Sequence, residues 1–265
     1  MYDQILYVNT LLQEENWQHN LSGAQTLSPP IPLNTMNNFT HIGHDLPDLT
    51  TRTIDSKRHY IIDCEGPDPI AYPSITSILG WYSAKGIQQW RKRVGEKEAN
   101  RVSTQASRRG TSVHQIIEDY VNNKEDHSRD LMPIHLEDFN KIKTEIDEHL
   151  DNIRGLEVAL YSHKLRCAGR SDCIAEWKGR PSILDWKTSR RVKKRDEIWS
   201  YFVQSTFYAT AWEELTGEKL VNIVIVMSPT DHDVLVFEEK VEDWYDLTEQ
   251  KIDQWYRETK GMTLN

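Results

Sequence analysis

Apolar residues between positions 113 and 121 recur at the spacing of one helix face. They follow the i, i+3, i+4, i+7, i+8 pattern of an amphipathic helix, at Val113, Ile116, Ile117, Tyr120 and Val121. Thr111 or Ser112 stands just ahead of this stripe, where a hydroxyl side chain serves as N-cap. The pattern therefore predicts a helix that begins near residue 111.

The other segments alternate between strand-like and helix-like patterns. Ahead of the 113–121 stripe we expect a hairpin near 58–72, a capped helix from about 74 and a basic helix at about 86–101. After a polar loop at 122–132, we expect a helix at 133–152, strands at 156–163, 165–178 and 181–187, a helix at 196–216, strands at 220–228 and 233–240, and a helix at 242–259. This order predicts an α/β fold, a mixed β-sheet flanked by helices in the order αβββαβ.

Two of the predicted strands each carry a carboxylate within an apolar run. Asp172 and Asp185 are thirteen residues apart, and Lys187 follows two residues after the second acid. Because side chains alternate along a strand, Asp185 and Lys187 point to one face and Trp186 to the other. Neighbouring carboxylates stay ionised together only when a cation holds them, and Mg²⁺ suits oxygen ligands. The alternative is a solvated salt bridge, but the apolar flanks of both acids weigh against it.

Two helix pairs at i, i+4 spacing accompany the acids. His114 and Glu118 lie beside the apolar stripe, as a metal ligand with a supporting acid or as a surface pair. Gln204 and Tyr208 repeat the spacing on the predicted 196–216 helix, where ordinary packing at the edge of the core is the alternative. The order of these elements along the chain is more specific than any one of them.

This ordered set resembles the RecB-like branch of the PD-(D/E)XK nuclease superfamily. Within that branch it is most similar to the mitochondrial genome maintenance exonuclease group with its phage and bacterial counterparts. The resemblance covers roughly residues 70–258. It is carried by Gly110-x-x-x-His114-x-x-x-Glu118, Gly169-x-x-Asp172, Asp185-Trp186-Lys187-Thr188-Ser189, Gln204-x-x-x-Tyr208 and the Pro73–Leu79 segment.

The resemblance implies a restriction-endonuclease-like core and metal-assisted hydrolysis of DNA phosphodiesters. His114, Asp172, Asp185 and the carbonyl of Trp186 would hold one or two Mg²⁺ or Mn²⁺ ions. Lys187 would orient or deprotonate the attacking water, or neutralise charge on the phosphate. The expected supporting residues are Gln204 and Tyr208 for alignment, then Glu118 as a further metal-site acid, and Glu157 as the weakest candidate.

Cysteine content and hydropathy weigh against an iron–sulfur protein, a disulfide-rich protein and a membrane protein. The only cysteines, at positions 64, 167 and 173, form no CxxC pair, so one chain cannot supply the four thiolates of an iron–sulfur cluster. They are also no disulfide framework, and no apolar run approaches a membrane span. At 265 residues we expect a nuclease domain at 58–265, with a helical gateway at about 74–110, preceded by an acidic arm at 1–57 that includes a short helix near 3–16.

The first fifty residues contain no Lys or Arg, but five acidic residues. A mitochondrial transit peptide has the opposite composition. We therefore expect a cytoplasmic protein of a bacterial or phage-infected cell.

The net charge of −9 is unusual for a nucleic-acid binder, but the basic residues are concentrated. Residues 85–109 hold eight basic residues against two acidic ones, and residues 187–195 hold six against none. Runs of this kind suit a groove that follows a phosphate backbone, or else ordinary solvated helix faces. The DNA contacts expected from them are Arg91, Arg93, Arg101, Arg108, Arg109, Arg190, Arg191 and Trp90.

Three functional hypotheses remain open on the sequence. The first is an exonuclease acting on single-stranded DNA with free ends, with Trp81, Tyr82 and Trp90 as stacking surfaces or as packing residues. The second is a duplex-resecting or structure-specific recombination nuclease. The third is an inactive nucleic-acid-binding module. Expected partners are DNA and proteins of replication or recombination, with no membrane.

Overall fold

The fold is described from a computed structural model. It covers residues 38–44, 46–63, 68–125, 127 and 132–260. The short helix expected near residues 3–16 and the proline-rich stretch after it lie outside the described residues. No helix in the described part is long and apolar enough to span a lipid bilayer.

Eight strands, five α-helices and a short 3₁₀ helix at Arg195–Ile198 make up the regular structure of the described residues. The strands are β1 (Thr50–Ile54), β2 (Lys57–Ile62), β3 (Ile70–Pro73), β4 (Leu150–Ser162), β5 (Cys167–Trp177), β6 (Arg180–Ser189), β7 (Asn222–Pro229) and β8 (Leu235–Lys240). The helices are α1 (Ile75–Val94), α2 (Glu96–Val121), α3 (Pro133–His149), α4 (Trp199–Thr216) and α5 (Val241–Lys260). The predicted mixed sheet flanked by helices is confirmed.

The main sheet has five strands in the order β4-β5-β6-β7-β8. Only β6 and β7 pair in parallel, and α4 forms the crossover between them. A parallel pair needs such a long connection, which places the helix against one face of the sheet. The helix that carries Gln204 is thereby laid across the strands that carry Asp172 and Asp185.

Two apolar cores lie on opposite faces of this sheet. Helices α1, α4 and α5 cover one face, around residues such as Phe207 and Ile225. The second half of α2 and helix α3 cover the other face, around residues such as Ile117 and Val224. Neighbours Ile225 and Val224 belong to opposite cores because side chains alternate along β7.

Helix α2 begins at Glu96, not at Thr111 or Ser112 as predicted. The helix boundary is Gly95, whose φ of 84° ends α1 and separates the two helices into a hairpin. The expected basic helix at 86–101 is therefore split between the two arms. Thr111 fails as a cap because the buried stripe extends upstream, through Ala99, Val102 and Ala106. Burial of that longer face outweighs a local capping preference.

The N-terminal segment from residue 38 packs against the fold. Strand β1 pairs with β2, and β2 with β3, in a three-stranded antiparallel sheet. Phe39 is buried against the ring of Tyr120. Thus residues 50–54, expected to belong to an acidic arm, form a strand of a sheet whose Tyr60 packs on β4 and β5.

Candidate active site

The ladder between β5 and β6 ends just before the two acidic residues. Cys173 pairs with Leu184, and continuing that register places Asp172 opposite Asp185. There the Trp186 amide bonds to a side chain and not to the backbone of β5. It donates a 2.9 Å hydrogen bond to Asp172 Oδ2. The two strands separate at this point, which makes room for side chains between them.

Asp185 and Lys187 share one face of β6, as their spacing predicts. The Lys187 ammonium donates to Asp185 Oδ1 at 2.7 Å, whereas the Oδ2 atom is buried without a hydrogen-bond partner among the described residues. Burial raises the pKa of Asp185 to about 7, against the opposing effect of the Lys187 charge. Burial alone would lower the pKa of Lys187, but the Asp185 and Asp172 carboxylates raise it above its usual value.

His114 reaches the same point from α2. Its Nε2 lies 2.7 Å from the carbonyl oxygen of Trp186. Since a carbonyl only accepts, Nε2 carries the proton, and the neutral ring then presents a lone pair at Nδ1. Nδ1 lies 3.5 Å from Asp172 Oδ2. A backbone partner on one ring nitrogen is the usual support of a metal-binding histidine. The Trp186 carbonyl is predicted as a metal ligand, and in the structure it orients His114. Its oxygen has a second lone pair, so the prediction of metal binding is untested.

Glu157 joins His114 and Asp172 in one cluster. Leu156 pairs with Cys173 and Val158 with Ser171, so Glu157 lies directly across from Asp172. One potential ligand atom from each of His114, Glu157 and Asp172 falls within 4.8 Å of the other two. Glu157 has a φ of 49°, an unusual conformation for a residue inside a strand. The residue expected to be the weakest candidate is thus the third member of the cluster.

A cavity of about 310 Å³ opens over this cluster. Its wall includes the predicted site residues His114, Glu118, Asp172, Lys187, Gln204 and Tyr208. Residues not predicted as site residues complete it, namely Arg58, Tyr60, Thr76, Ser107, Thr111, Gln115, Arg170 and Tyr201, together with the weakest candidate Glu157 and the motif glycines Gly110 and Gly169.

Gln204 and Tyr208 lie one turn apart on α4. Gln204 Nε2 donates to the Tyr208 hydroxyl at 3.2 Å, and Gln204 Oε1 is buried without a partner in the described structure. The Tyr208 ring packs so closely on Gly169 that a Cβ there would lie 2.7 Å from Tyr208 Cε1. The glycine of the Gly169-x-x-Asp172 motif therefore lets α4 approach β5.

Tyr201 stands between two lysines at the start of α4. The ammonium groups of Lys187 and Lys193 lie 5.0 Å and 5.3 Å from its ring centre. Lys193 also approaches the Tyr201 hydroxyl at 3.2 Å. These cation–π contacts hold the lysine side chains against a rigid ring.

The basic hairpin α1–α2 and the loop after β6 carry most of the expected DNA contacts. Arg93, Arg101, Arg108 and Arg190 are exposed. Arg101 pairs with Glu98, and Arg190 is near enough to that carboxylate to contribute, after Arg101, to lowering its pKa. The loop therefore faces the first half of α2, beside the cavity wall at Ser107.

Two expected DNA contacts are corrected by burial. The Arg109 guanidinium donates to both oxygens of Asp138, at 2.6 and 2.7 Å, and also to the Thr230 hydroxyl at 2.7 Å. This buried pair joins α2 to α3, so the Arg109 guanidinium is engaged within the protein. Trp90 is 5% exposed and packs against Ala99 inside the hairpin, which removes it as a stacking surface. Arg91 and Arg191 lie partly exposed in pairs with Glu96 and Glu197.

The sequence also matches a known protein family. The sequence model of the PD-(D/E)XK nuclease superfamily matches residues 127–263, just over half of the chain. The chain belongs to this superfamily. The match contains Glu157, Asp172, Asp185, Lys187 and Gln204, whereas His114 and the basic hairpin precede it.

Two curated relatives share part of the chain. The human mitochondrial genome maintenance exonuclease 1 is 25% identical over 176 residues, 61% of this chain and 44% of its own length. The mouse protein of the same name is 26% identical over 132 residues, 46% of this chain and 38% of its own. The chain thus spans less than half the length of these relatives. A solved structure of an exonuclease candidate from Eubacterium rectale aligns at 15% identity and a TM-score of 0.39, covering 59% of this chain and 68% of that one.

PD-(D/E)XK nucleases use divalent metals, and the residues at this site fit one. The cluster offers an imidazole nitrogen and carboxylate oxygens, donors suited to Mg²⁺ or Mn²⁺. The buried Oδ2 of Asp185 adds an acceptor that no group in the described structure satisfies. Buried polar atoms are normally paired, and this carboxylate oxygen beside the cluster has the chemistry of a metal ligand.

Proposed function

We propose that this nuclease is a metal-dependent DNA exonuclease that hydrolyses single-stranded DNA from free ends. The observation that carries the proposal is the convergence of His114, Glu157 and Asp172 with the Asp185–Lys187 pair beneath a basic helical hairpin. Carboxylates this close together repel one another, and a bound dication would offset that repulsion. The names of the curated relatives, exonucleases of genome maintenance, agree with this function.

His114 Nδ1, Glu157, Asp172 and Oδ2 of Asp185 would hold the metal. A bound dication would lower the pKa of the attacking water and stabilise charge during in-line displacement at phosphorus. The protein's own contribution is orientation. Trp186 orients two of these ligands. Its carbonyl fixes the His114 ring, and its amide fixes the Asp172 carboxylate.

Lys187 would act as a fixed positive charge. The neighbouring carboxylates raise its pKa, whereas a dication bound by the same carboxylates would lower it. The contact with the Tyr201 ring limits its motion. An ammonium held in place stabilises negative charge on the scissile phosphate without reorganisation during the reaction. Electrostatic stabilisation by the Lys187 ammonium is therefore the role that we propose, because the Asp185 and Tyr201 contacts fix its position.

Gln204 would align the reacting groups through its unpaired amide oxygen. That oxygen is buried in the cavity wall, and the amide nitrogen is already held by Tyr208. A donor entering the cavity, such as the ammonium of Lys187 or a water, would complete the hydrogen bonding of the amide.

The approach path would lie between the α1–α2 hairpin and the loop after β6. Arg101, Arg108 and Arg190 line the two sides of it as exposed positive charges. Near the base of α1, half-buried aromatic rings of Trp81, Tyr82 and Trp199 lie together, with the Lys251 ammonium 4.8 Å from the Tyr82 ring centre. Aromatic rings interleaved with basic groups suit single-stranded DNA, whose unpaired bases can stack.

The test is cleavage of end-labelled linear single-stranded DNA, with a circular single strand and a linear duplex in parallel. Each substrate is incubated with Mg²⁺, Mn²⁺ or EDTA, beside an Asp185→Asn variant. We expect metal-dependent loss of the linear single strand only, abolished by Asp185→Asn. Cutting of circles or duplex would replace the proposal with a recombination-type nuclease. Binding without any cleavage would indicate an inactive module.

Proteins of replication or recombination are the proposed partners. The support is the genome-maintenance function in the names of the relatives. Addition of a single-strand-binding protein to the cleavage assay, with measurement of the rate on the linear strand, tests whether such a partner alters access to ends.

A further inference from the structure

Glu157 holds a backbone conformation that a glutamate seldom adopts. Its φ of 49° lies in the left-handed region, inside strand β4 (Leu150–Ser162). Such conformations persist where the surroundings impose them, and they cluster at functional sites. The side chain of this same residue belongs to the cluster with His114 and Asp172. An unusual backbone and a candidate ligand therefore coincide at one residue.

Arg170 contacts the backbone at this position. Its Nη1 donates to the carbonyl oxygen of Glu157, and its Nη2 donates to the carboxylate of Asp48. Arg170 and Asp172 are two residues apart on β5, so they share one face of the sheet. The Arg170 side chain also forms part of the cavity wall. A single guanidinium thus links the N-terminal segment, the strained residue and the cavity.

We propose that Arg170 is a positioning residue that holds Glu157 in the conformation presenting its carboxylate to the metal, with Asp48 orienting the guanidinium. The inference rests on the proposed function, because it concerns the same metal site. It adds a dependence of that site on Asp48, which precedes the residues matched by the superfamily model.

The exposure of the contacts argues against a mainly stabilising role. The side chain of Asp48 is 75% exposed and that of Arg170 34% exposed, and ion pairs at such positions add little to stability. Their geometry is nevertheless specific, because only a planar guanidinium donates in parallel to a carbonyl on one strand and a carboxylate on another segment. Loss of an outer partner of a metal ligand typically weakens metal binding about 10- to 100-fold.

The experiment measures Mn²⁺ binding by the full chain in the absence of DNA, through electron paramagnetic resonance of free Mn²⁺. The variants are Arg170→Gln, Asp48→Asn, Glu157→Gln and the double variant Arg170→Gln/Glu157→Gln. Arg166→Gln is the matched control, because Arg166 is an exposed arginine on the neighbouring turn that pairs with Asp253 at 2.9 Å and does not line the cavity. Melting in EDTA monitors folding of each variant.

We expect Arg170→Gln to weaken Mn²⁺ binding about 10- to 100-fold, Asp48→Asn to weaken it less, and Arg166→Gln to leave it unchanged. The double variant should bind no more weakly than Glu157→Gln, since both changes disable one ligand. All of them should melt in EDTA near the wild-type temperature.

Two results would overturn the inference while leaving the proposed function intact. The first is that Arg170→Gln binds Mn²⁺ as tightly as Arg166→Gln. The second is that the Mn²⁺ affinity lost in the double variant equals the product of the losses in Arg170→Gln and Glu157→Gln. If Arg170→Gln fails to fold, the exposed Asp48→Asn variant decides, and an unchanged Mn²⁺ affinity there rejects the coupling. Absence of Mn²⁺ binding by the wild-type chain would instead reject the proposed function, and the inference with it.

Discussion

The ammonium of Lys187 lies 2.7 Å from Oδ1 of Asp185, while Oδ2 of the same carboxylate has no hydrogen-bond partner in the described structure. One buried carboxylate thus has a satisfied side, facing the lysine, and an unsatisfied side. In the proposed site, the lysine charge lies on one side of Asp185 and the metal ion would lie on the other.

Removal of the lysine charge should slow the reaction strongly while sparing the substrate complex. For Lys187→Ala we expect the cleavage rate on linear single-stranded DNA to fall about 10²- to 10³-fold, the usual effect of deleting one group that stabilises developing charge. Binding of the same DNA in Ca²⁺ should change little, because many other phosphate contacts remain.

Lys178→Ala is the matched control for this substitution. Lys178 lies at the far turn of the β5–β6 hairpin and pairs on the surface with Glu238. Near wild-type cleavage by Lys187→Ala, with the control equally active, would show that Lys187 has no direct role.

Metal binding should stabilise the protein against heat. With Mn²⁺ at about 100 times its dissociation constant, the gain of about 2.7 kcal/mol corresponds to a melting temperature raised by about 5–10 °C for a protein of this size. Differential scanning fluorimetry with EDTA as reference measures it. Asp172→Asn should abolish the rise, since it removes a member of the His114–Glu157 cluster. An equal rise in that variant would place the ion elsewhere.

Gly169→Ala should destabilise the fold through a steric clash. The added Cβ would lie 2.7 Å from Tyr208 Cε1 and 3.1 Å from Ile75 Cγ2. Overpacking of this kind costs about 1–3 kcal/mol, measurable as a lower urea midpoint. Gly43→Ala is the control, because a Cβ added at Gly43 would meet no atom within 4 Å. Equal midpoints for the two variants would show that α4 shifts without cost.

Arg108 and Arg109 are adjacent on α2, and we expect Arg109 to affect stability and Arg108 to affect DNA binding. Asp138→Ala removes the carboxylate that pairs with the buried Arg109 guanidinium, and we expect about 3–5 kcal/mol of lost stability. Arg108→Ala, at an exposed position, should leave stability unchanged. It should instead reduce the slope of log affinity against log salt for single-stranded DNA by about 0.7.

Equilibrium urea unfolding and fluorescence anisotropy at several salt concentrations separate these effects. Arg180→Ala serves as the control for binding, because Arg180 pairs with Glu238 at the turn opposite the cavity. An unchanged salt slope for Arg108→Ala would remove the hairpin from the proposed DNA path.

Alternation along a strand is a local property, and it was enough to predict Asp185, Lys187 and Trp186 correctly. Their faces depend only on the backbone period of two. Residues that come together only through strand pairing were harder to rank as candidate site residues. Glu157 enters the cluster because β4 gains two residues against β5 between Asp151 and Gly155, which sets the register that places it opposite Asp172. Nothing in the local sequence marks that shift.

Burial by distant partners explains the errors in the basic hairpin. Arg109 and Arg108 are equivalent in sequence, but only Arg109 meets Asp138, which is 29 positions away. Trp90 faces Ala99 because Gly95 folds the chain back, whereas a straight basic helix at 86–101 would have exposed it. Composition identifies where positive charge accumulates, and tertiary packing decides which side chains remain at the surface.

The continuity of α2 has a consequence for substrate length. Arg101 and His114 are thirteen residues apart on one unbroken helix, a distance of about 20 Å at 1.5 Å per residue. At about 3.4 Å per stacked nucleotide, a strand that contacts both ends of this interval is about six nucleotides long. Shorter oligonucleotides lose the arginine end of the helix while still reaching the histidine end. For a strand that follows α2 as proposed, digestion should slow when the remaining product falls below that length.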